Sequence, residues 1–557
     1  MPILGRILEQ PLVSRPGPLN VARGSAAYLA TITIMAVVLL ILSMPLPATA
    51  QTEDISRGGT LKVILQPEPP TLILGLNQQA PTQLVAGKMY EGLLRYDFDL
   101  NPMPSLARKW EISEDGMTYT FHLEEGVTWH DGEPFTSKDI VFTTTKFLPE
   151  THPRARAIFS NVETVTAPDD QTVVFKLKKP FPAFILTFEV SSVPIMPAHI
   201  YENTDYLNND MNNQPIGTGP FKFESWERGS NIHLVRNENY WQEGKPYLDD
   251  IYFLSIPDAA SRALALETGQ VDVSSFNNIE PFDVPRLSAL PHLEVETKGY
   301  EFVAPMMWIE INHREAPSDD PRFRQAISYA LDREFIRDNI FFGLGRVATG
   351  PVNSVTTHYE SDVRKYDYDP DKAIALLDEM GLEPDSDGVR ASVEFMVMPY
   401  GETFTRLAEY SRQALSKVGI DLSLRSTDSA GWAQALSNWD YEMTNDFVYQ
   451  YGHPALGVSR TYVCDNIRKG VLFSNTMGYC NKEVDKLFAQ AAVENDAEKR
   501  QALYSKAQQI LVDDVPVIWL LEMEFPTIYN TRVHNLTTTA IGTTETFADV
   551  WVEQQGQ

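Results

Sequence analysis

Residues 110–143 read WEISEDGMTYTFHLEEGVTWHDGEPFTSKDIVFT. The stretch holds two histidines, His122 and His130, among acids and aromatics, and so invites reading as a reactive centre. Its periodicity argues for scaffold instead. Short alternating runs around Asp115-Gly116 predict a β-hairpin, since that dipeptide suits the tight turn between paired strands. In TYTFHL, Tyr119, Phe121 and Leu123 share one face, and Thr118, Thr120 and His122 the other. His130 precedes a second turn, Asp131-Gly132. Thr136 or Ser137 then N-caps a helix, SKDIVFTTTKFL. Nothing here has the spacing of a nucleophile and its base.

Working outward, GTLKVILQ alternates as a strand, and QLVAGKMYEGLLRYD has helical spacing. DIYFLSI and VDVSSF flank the helix DAASRALALETGQ, a β-α-β unit that predicts a parallel pair. ASVEFMVMP, TFTRLAEYSRQALSKVG and IDLSLRS form a second such unit. DPRFRQAISYALDREFIRDNIFFG and DPDKAIALLDEMGL are amphipathic helices. Two long helices, NKEVDKLFAQAAVEND and AEKRQALYSKAQQILVDDV, precede the strand PVIWLLE. The class is α/β with antiparallel additions, in at least two lobes.

The first fifty residues have a different pattern. Arg6, Arg15 and Arg23 precede an apolar run, Tyr28–Leu42, and PATA places Ala48 and Ala50 before Gln51. This predicts a signal peptide over 1–50, cleaved on export to the periplasm. The alternative, an uncleaved anchor, wants about 20 apolar residues, more than this run supplies. No cysteine near the cleavage point suggests a lipid anchor. The segment carries three Arg and one Glu, so its removal takes the net charge from −29 to −31. Such a charge repels nucleic acid and anionic lipid. Cys464 and Cys480, sixteen apart, are a disulfide candidate in an oxidising compartment. Free buried thiols or a metal site are the alternatives, and no histidine lies within ten residues of either cysteine to serve a metal.

Catalytic signatures are missing. There is no Gly-x-Ser-x-Gly, no His-Glu-x-x-His and no glycine-rich phosphate loop. No cofactor or metal is expected. Acidic pairs are common in a chain with 75 acids, so a secreted hydrolase using paired carboxylates stands as the rival reading.

LARKWEISEDGMTYTFHLEEGVTWHDGEPFTSKDIVFT resembles the signature of the extracellular solute-binding proteins of family 5. These are the dipeptide-, oligopeptide- and nickel-binding components of ATP-driven importers. The likeness continues through PIGTGPFKFESWERGSNIHLVRNENYWQEGKPYLDDIYFLSIPD, DPRFRQAISYALDRE and AEKRQALYSKAQQILVDDVPVIWL. The context of Cys480 resembles the disulfide region of the dipeptide-binding members. The resemblance implies a three-lobed periplasmic binding protein fold of the class II type. Lobe I would be 58–95, 216–300 and 519–557, lobe II 96–215, and lobe III 301–518. The ligand would lie between lobes I and III and be enclosed by hinge closure.

Carried over position by position, the resemblance changes the pocket. Peptide binders hold the ligand's amino group with an Asp shortly before a Pro. In DYEMTNDFVYQYGHP that place is taken by Gln450 or Tyr451. An Arg soon after Met-Pro holds the carboxylate, and MVMPYGETF offers Tyr400 and Glu402 instead. Trp432 in SAGWAQAL matches the family's pocket-side Trp. SRTYVCDNIRKGVLFSN offers Arg460 and Asn466 as further candidates. Each also has a plain reading: Trp432 as a core aromatic, Glu402 as a solvated acid, Gln450 and Tyr451 as strand-end residues.

The resemblance thus implies a monomeric periplasmic receptor that captures an oligopeptide-sized polar solute, a peptide or peptide-like molecule. It would hand the solute to ABC permease subunits in the inner membrane. The alternative ligand is an oligosaccharide or an opine-like conjugate.

Overall fold

The computed structural model describes residues 55–554. The expected signal segment 1–50 lies outside the described residues. The opening stretch folds as its alternation demands. Strands Ala107–Ile112 and Thr118–Leu123 pair antiparallel, Ile112 opposite Tyr119. Tyr119, Phe121 and Leu123 are buried, and Thr118, Thr120 and His122 only partly so. The turn is held by the Asp115 carboxylate, which accepts from the Ser113 hydroxyl (2.6 Å) and the Met117 N–H (3.0 Å), while Gly116 takes φ +67°. Thr136 caps the helix Ser137–Phe142, and its own N–H donates to the Asp139 carboxylate at 2.9 Å. With Thr172–Leu177 and Val162–Asp169 the hairpin completes a four-stranded antiparallel sheet.

Two larger sheets carry the rest. The first has seven strands in the order Leu293–Glu296, Thr527–Asn530, Val273–Ser274, Thr60–Leu65, Asp250–Ser255, Asn231–Arg236, Phe221–Glu227. The expected parallel pair around the helix Ala259–Glu267 is not a direct pair. Thr60–Leu65 lies between the two strands, parallel to both, with Thr60 opposite Asp250 and Val63 opposite Val273. The second sheet has six strands in the order Arg346–Val347, Val517–Glu522, Met306–Ile311, Met443–Val448, Ala391–Met396, Ile420–Arg425. Here Ala391–Met396 and Ile420–Arg425, joined by the helix Glu402–Ser416, are directly paired and parallel.

The expected helix over QLVAGKMYEGLLRYD is corrected. The helix is Ala80–Ala86 and stops at Gly87. A Cβ on Gly87 would lie 2.1 Å from the Thr544 carbonyl oxygen, so the backbone there abuts the C-terminal segment. Lys88 is buried next to it, donating to the carbonyls of Thr543 (2.7 Å) and Glu545 (2.5 Å). Those contacts hold the chain away from helical continuation.

Apolar packing divides the molecule at one seam. Leu61 and Val63 of the seven-stranded sheet share a continuous core with Phe121 and Phe175 of the four-stranded sheet. The six-stranded sheet has its own packing on both faces: Met307, Ile309 and Phe395 on one, Met306, Trp308 and Trp519 on the other. Two chain segments cross between the large sheets, 297–305 and 523–526. They run side by side, the Met523 N–H donating to the Pro305 carbonyl at 2.9 Å. Residue 519, where the chain was expected to return to lobe I, lies inside Val517–Glu522 of the six-stranded sheet; the crossing follows Glu522.

Candidate functional site

Aromatic rings from both large sheets meet at this seam. Phe276 follows the strand Val273–Ser274, Tyr300 follows Leu293–Glu296, and Phe525 precedes Thr527–Asn530. Their ring centroids lie 5.4 to 6.0 Å apart. From the other side the strand Met443–Val448 brings Phe447 and, just past its end, Tyr449, 6.1 and 6.5 Å from Phe525. Tyr400 extends the wall, 6.5 Å from Phe447. The Tyr300 hydroxyl accepts from the Phe276 N–H at 2.9 Å and pairs with the Thr527 hydroxyl at 2.9 Å, so its ring is fixed. In the form described the seam is nearly closed. A cavity of about 40 Å³ remains between Glu280, Tyr400, Phe404 and Phe525, room for a few waters at about 10–15 Å³ each.

A carboxylate closes the edge of the seam. Glu280, beside the seven-stranded sheet, accepts from the Thr403 hydroxyl (2.8 Å) and the Glu402 N–H (3.2 Å) at the N-terminus of the helix Glu402–Ser416. Anions are favoured at that end of a helix. Gly401 is needed there: it has φ +113°, and a Cβ would lie 2.5 Å from the Glu280 oxygen. Arg406 of the same helix sits 4.8 Å over the Phe282 ring.

Two ionisable groups lie near the rings. Asp446 is buried on the strand Met443–Val448 and accepts from the Phe447 N–H at 2.7 Å. Burial, with the neighbouring Glu310 carboxyl second, pushes its pKa well above the carboxylate range. Glu310 is also pushed up by burial, against hydrogen bonds from Thr476, Tyr441 and Trp308. Asp446 in turn adds to the raised pKa of the Tyr400 phenol, whose first cause is burial. Arg460 is half-buried, donating to the carbonyls of Gly457 (3.2 Å) and Tyr449 (3.4 Å), and burial draws its pKa down.

The residues singled out from the sequence separate into wall and support. Tyr400 is 39% exposed and forms part of the wall. Trp432 is fully buried behind it, ring to ring at 5.8 Å, its Nε1 donating to the Thr444 hydroxyl at 2.9 Å. Gln450 is buried with its amide spent at both ends: Oε1 accepts from the Asn353 N–H and Nε2 donates to the Pro351 carbonyl, both at 2.9 Å. Its polar atoms are committed to scaffold. The Glu402 carboxylate turns to Arg406 at 2.7 Å, and only its N–H reaches the seam. Tyr451, at φ +51°, stacks under Arg154 at 3.7 Å, with Arg460 5.6 Å from the same ring. Asn466 donates to the Arg460 carbonyl at 3.0 Å. Cys464 and Cys480 are joined by a disulfide.

Asp446, Phe447 and Tyr449 lie within the very segment quoted for Gln450, where strand alternation sets Phe447 on one face and Asp446, opposite Trp308, on the other. Phe276, Tyr300, Phe525 and Arg154 carry no local signal. His122 faces Glu111 at 3.7 Å on the hairpin. His130 is bound to backbone on both nitrogens, Nε2 to the Gly219 carbonyl (3.0 Å) and Nδ1 accepting from the Gly217 N–H (3.2 Å). Neither histidine borders the seam. Among the described residues no three His, Cys, Asp or Glu converge as metal ligands would, and no helix is long and apolar enough to cross a membrane.

Two large sheets joined by two crossing segments, with an aromatic seam between them, are the architecture of a protein that encloses a solute between lobes. Comparison with known proteins gives the family. The model of "Bacterial extracellular solute-binding proteins, family 5 Middle" matches residues 101–469, well over half of the chain, and the chain belongs to that family. It is similar to the dipeptide-binding protein of Escherichia coli (strain K12), 29% identical over 449 residues, 75% of this chain and 80% of that protein. It is also similar to heme-binding protein A of Haemophilus influenzae, 28% identical over 505 residues, 85% and 88% of the two chains. Among solved structures it resembles the ABC transporter substrate-binding protein CtaP of Listeria monocytogenes, with a TM-score of 0.79 at 26% identity, covering 89% of this chain and all of that one. The protein is thus a solute-binding component of an ABC importer and not an enzyme.

Proposed function

We propose that this protein works in the periplasm, after cleavage of its leader, as a monomeric receptor that closes on a peptide or peptide-like solute. It then presents the closed form to permease subunits in the inner membrane. Residues 58–95 and 216–300, with the chain after Glu522, would form lobe I; 96–215 lobe II; and 301–522 lobe III.

The observation that carries this reading is the aromatic seam flanked by one acid and one base. Rings give a solute broad apolar contact, and a few polar groups fix its orientation. Asp446 is suited to a ligand's ammonium, which would replace the proton that burial favours. Arg460 is suited to a carboxylate. They replace the amino- and carboxylate-holding groups that the family resemblance leads one to seek near Gln450 and Glu402. The kinship with the dipeptide-binding protein of Escherichia coli supports a peptide-type ligand.

The test is calorimetric titration with di- to pentapeptides, beside mass measurement of any small molecule that co-purifies. Micromolar peptide binding, lost on amino-terminal acetylation and in Asp446→Asn, supports the reading. Binding of an oligosaccharide or opine-like conjugate in place of every peptide would overturn it.

A further inference from the structure

A second hollow, larger than the closed seam, opens beside it. This cleft of about 600 Å³ lies between the helix Pro153–Phe159 and the segment Ala455–Ser474, much of which falls within the disulfide-closed loop. Arg154, Lys179, Arg460 and Arg468 line it, and no Asp or Glu does. That is contrary to the composition, in which acids outnumber Lys and Arg by 75 to 46. Another hollow, of about 360 Å³, shows the usual balance, with Glu315, Glu394, Asp440 and Glu442 against Arg425.

The four cations are also unspent. Among the described residues none of them forms an ion pair, although 26 pairs of Lys or Arg with a carboxylate are found elsewhere. Arg154 donates from Nη2 to the Ser192 hydroxyl at 2.9 Å, but its Nε and Nη1 are buried with no hydrogen-bond partner. Buried donors left unpaired are costly, and a guanidinium presents them in a fork that fits carboxylate or phosphate. Glu189, which feels the Arg154 charge, spends one oxygen on the Ser191 N–H at 2.5 Å; burial raises its pKa and Arg154 draws it down. On the Arg460 side the acid is Asp446, also pushed up. Neither acid lines the cleft. Phe181 and Leu472 give the same cleft an apolar wall.

The Tyr451 ring, with Arg154 on it at 3.7 Å and Arg460 at 5.6 Å, joins the cleft to the seam. We infer that this cleft receives the anionic part of the solute, a carboxylate- or phosphate-bearing group on an apolar stem, while the rest occupies the aromatic seam. The inference rests on the peptide-type reading for the part held in the seam. It adds that the transported class is acidic, with negative charge beyond one terminal carboxylate.

Lys179 and Arg468 are exposed at the mouth of the cleft, so Lys179→Ala/Arg468→Ala should fold normally, which an unchanged melting temperature verifies. Calorimetry would compare trialanine amide with peptides of the same length ending in two glutamates or two phosphoserines. Thermal shift would compare citrate with pyrophosphate, separating carboxylate from phosphate preference. The expected result is tighter binding of the acidic peptides by wild type, and about a tenfold loss of that preference in the double variant and in high salt. Stabilisation by citrate or pyrophosphate that vanishes in the variant, without binding of any peptide, would support the cleft and sink the peptide reading. Equal affinity for neutral and acidic peptides, with no effect of either anion, would overturn the cleft and leave the peptide reading standing. An acidic preference unchanged in the double variant would overturn it as well.

Discussion

Glu280 reaches across the seam to Thr403, its carboxylate accepting the threonine hydroxyl at 2.8 Å and, at 3.2 Å, the neighbouring Glu402 N–H. The contact joins the part of the chain around the seven-stranded sheet to the first turn of a helix on the six-stranded sheet. Parting the two sheets at the seam would break it. Glu280→Ala should therefore weaken solute binding about fivefold, since hydrogen bonds to a charged group contribute about 1.5–3 kcal/mol and water replaces part of that when the contact is broken. The melting temperature of the empty protein should barely change. Calorimetry and small-angle scattering, with and without solute, check both; an unchanged affinity would mean that closure does not use this contact.

Tyr400 and Trp432 lie 5.8 Å apart with their rings tilted at 53°, yet they should respond in opposite ways to truncation. Trp432 is fully buried and hydrogen-bonded to Thr444, so Trp432→Ala should cost about 3–5 kcal/mol of stability through the cavity it leaves. Tyr400 is 39% exposed, so Tyr400→Ala should leave the melting temperature nearly intact. Its loss from the wall should weaken binding at least about tenfold. Urea unfolding and calorimetry on both variants separate the two roles.

Local pattern carried the local structure. The hairpin at Asp115-Gly116 and the parallel strands Ala391–Met396 and Ile420–Arg425 follow from periodicity and turn residues alone. What failed depended on distant segments. Nothing near residue 250 announces that Thr60–Leu65 will enter between two strands of one β-α-β unit. The helix that stops at Gly87 does so because residues 543–545 lie against it. The site shows the same limit. The segment around Gln450 also carries Phe447 and Tyr449 of the seam, but the Gln450 amide's commitment to Asn353 and Pro351 is a tertiary fact. The meeting of Arg154 with Tyr451 joins residues nearly three hundred positions apart.

The Cys464–Cys480 bond closes a loop that supplies Asn466, Arg468 and Leu472 to the wall of the basic cleft. Cross-linking a loop of this length should stabilise the fold by about 3 kcal/mol on the chain-entropy account. Cys464→Ala/Cys480→Ala should lower the melting temperature, and the denatured, unreduced wild type should contain no thiol that alkylates. A full complement of alkylated cysteines in that sample would exclude the bond.

His130 gives the clearest pH signature. Burial, partly offset by its bond to the Gly219 carbonyl, lowers its pKa from 6.5 to about 4, so the folded ring is neutral through mildly acid conditions. In the unfolded chain the same ring takes up a proton below about 6.5. Between those values the unfolded state binds more protons, and stability falls as pH falls, until the folded ring also protonates near 4. His152 and His313, each lowered to about 3 by burial, act in the same direction. Glu91 opposes them: burial raises it to about 7, so its neutral folded form is favoured at low pH and loses that advantage as pH rises from 4.5. Total stability mixes these effects, and a variant isolates one of them. His130→Gln should be less stable than wild type at neutral pH, because it loses the paired contacts to Gly217 and Gly219. The gap should narrow by on the order of 2 kcal/mol between pH 7 and pH 4.5, since only the wild type has an unfolded imidazole to protonate. Urea unfolding of both proteins across that range measures the gap directly. A gap that is constant, or that widens toward acid, would show that His130 is charged in the folded protein, and imidazole NMR shifts over the same range would confirm which form is present.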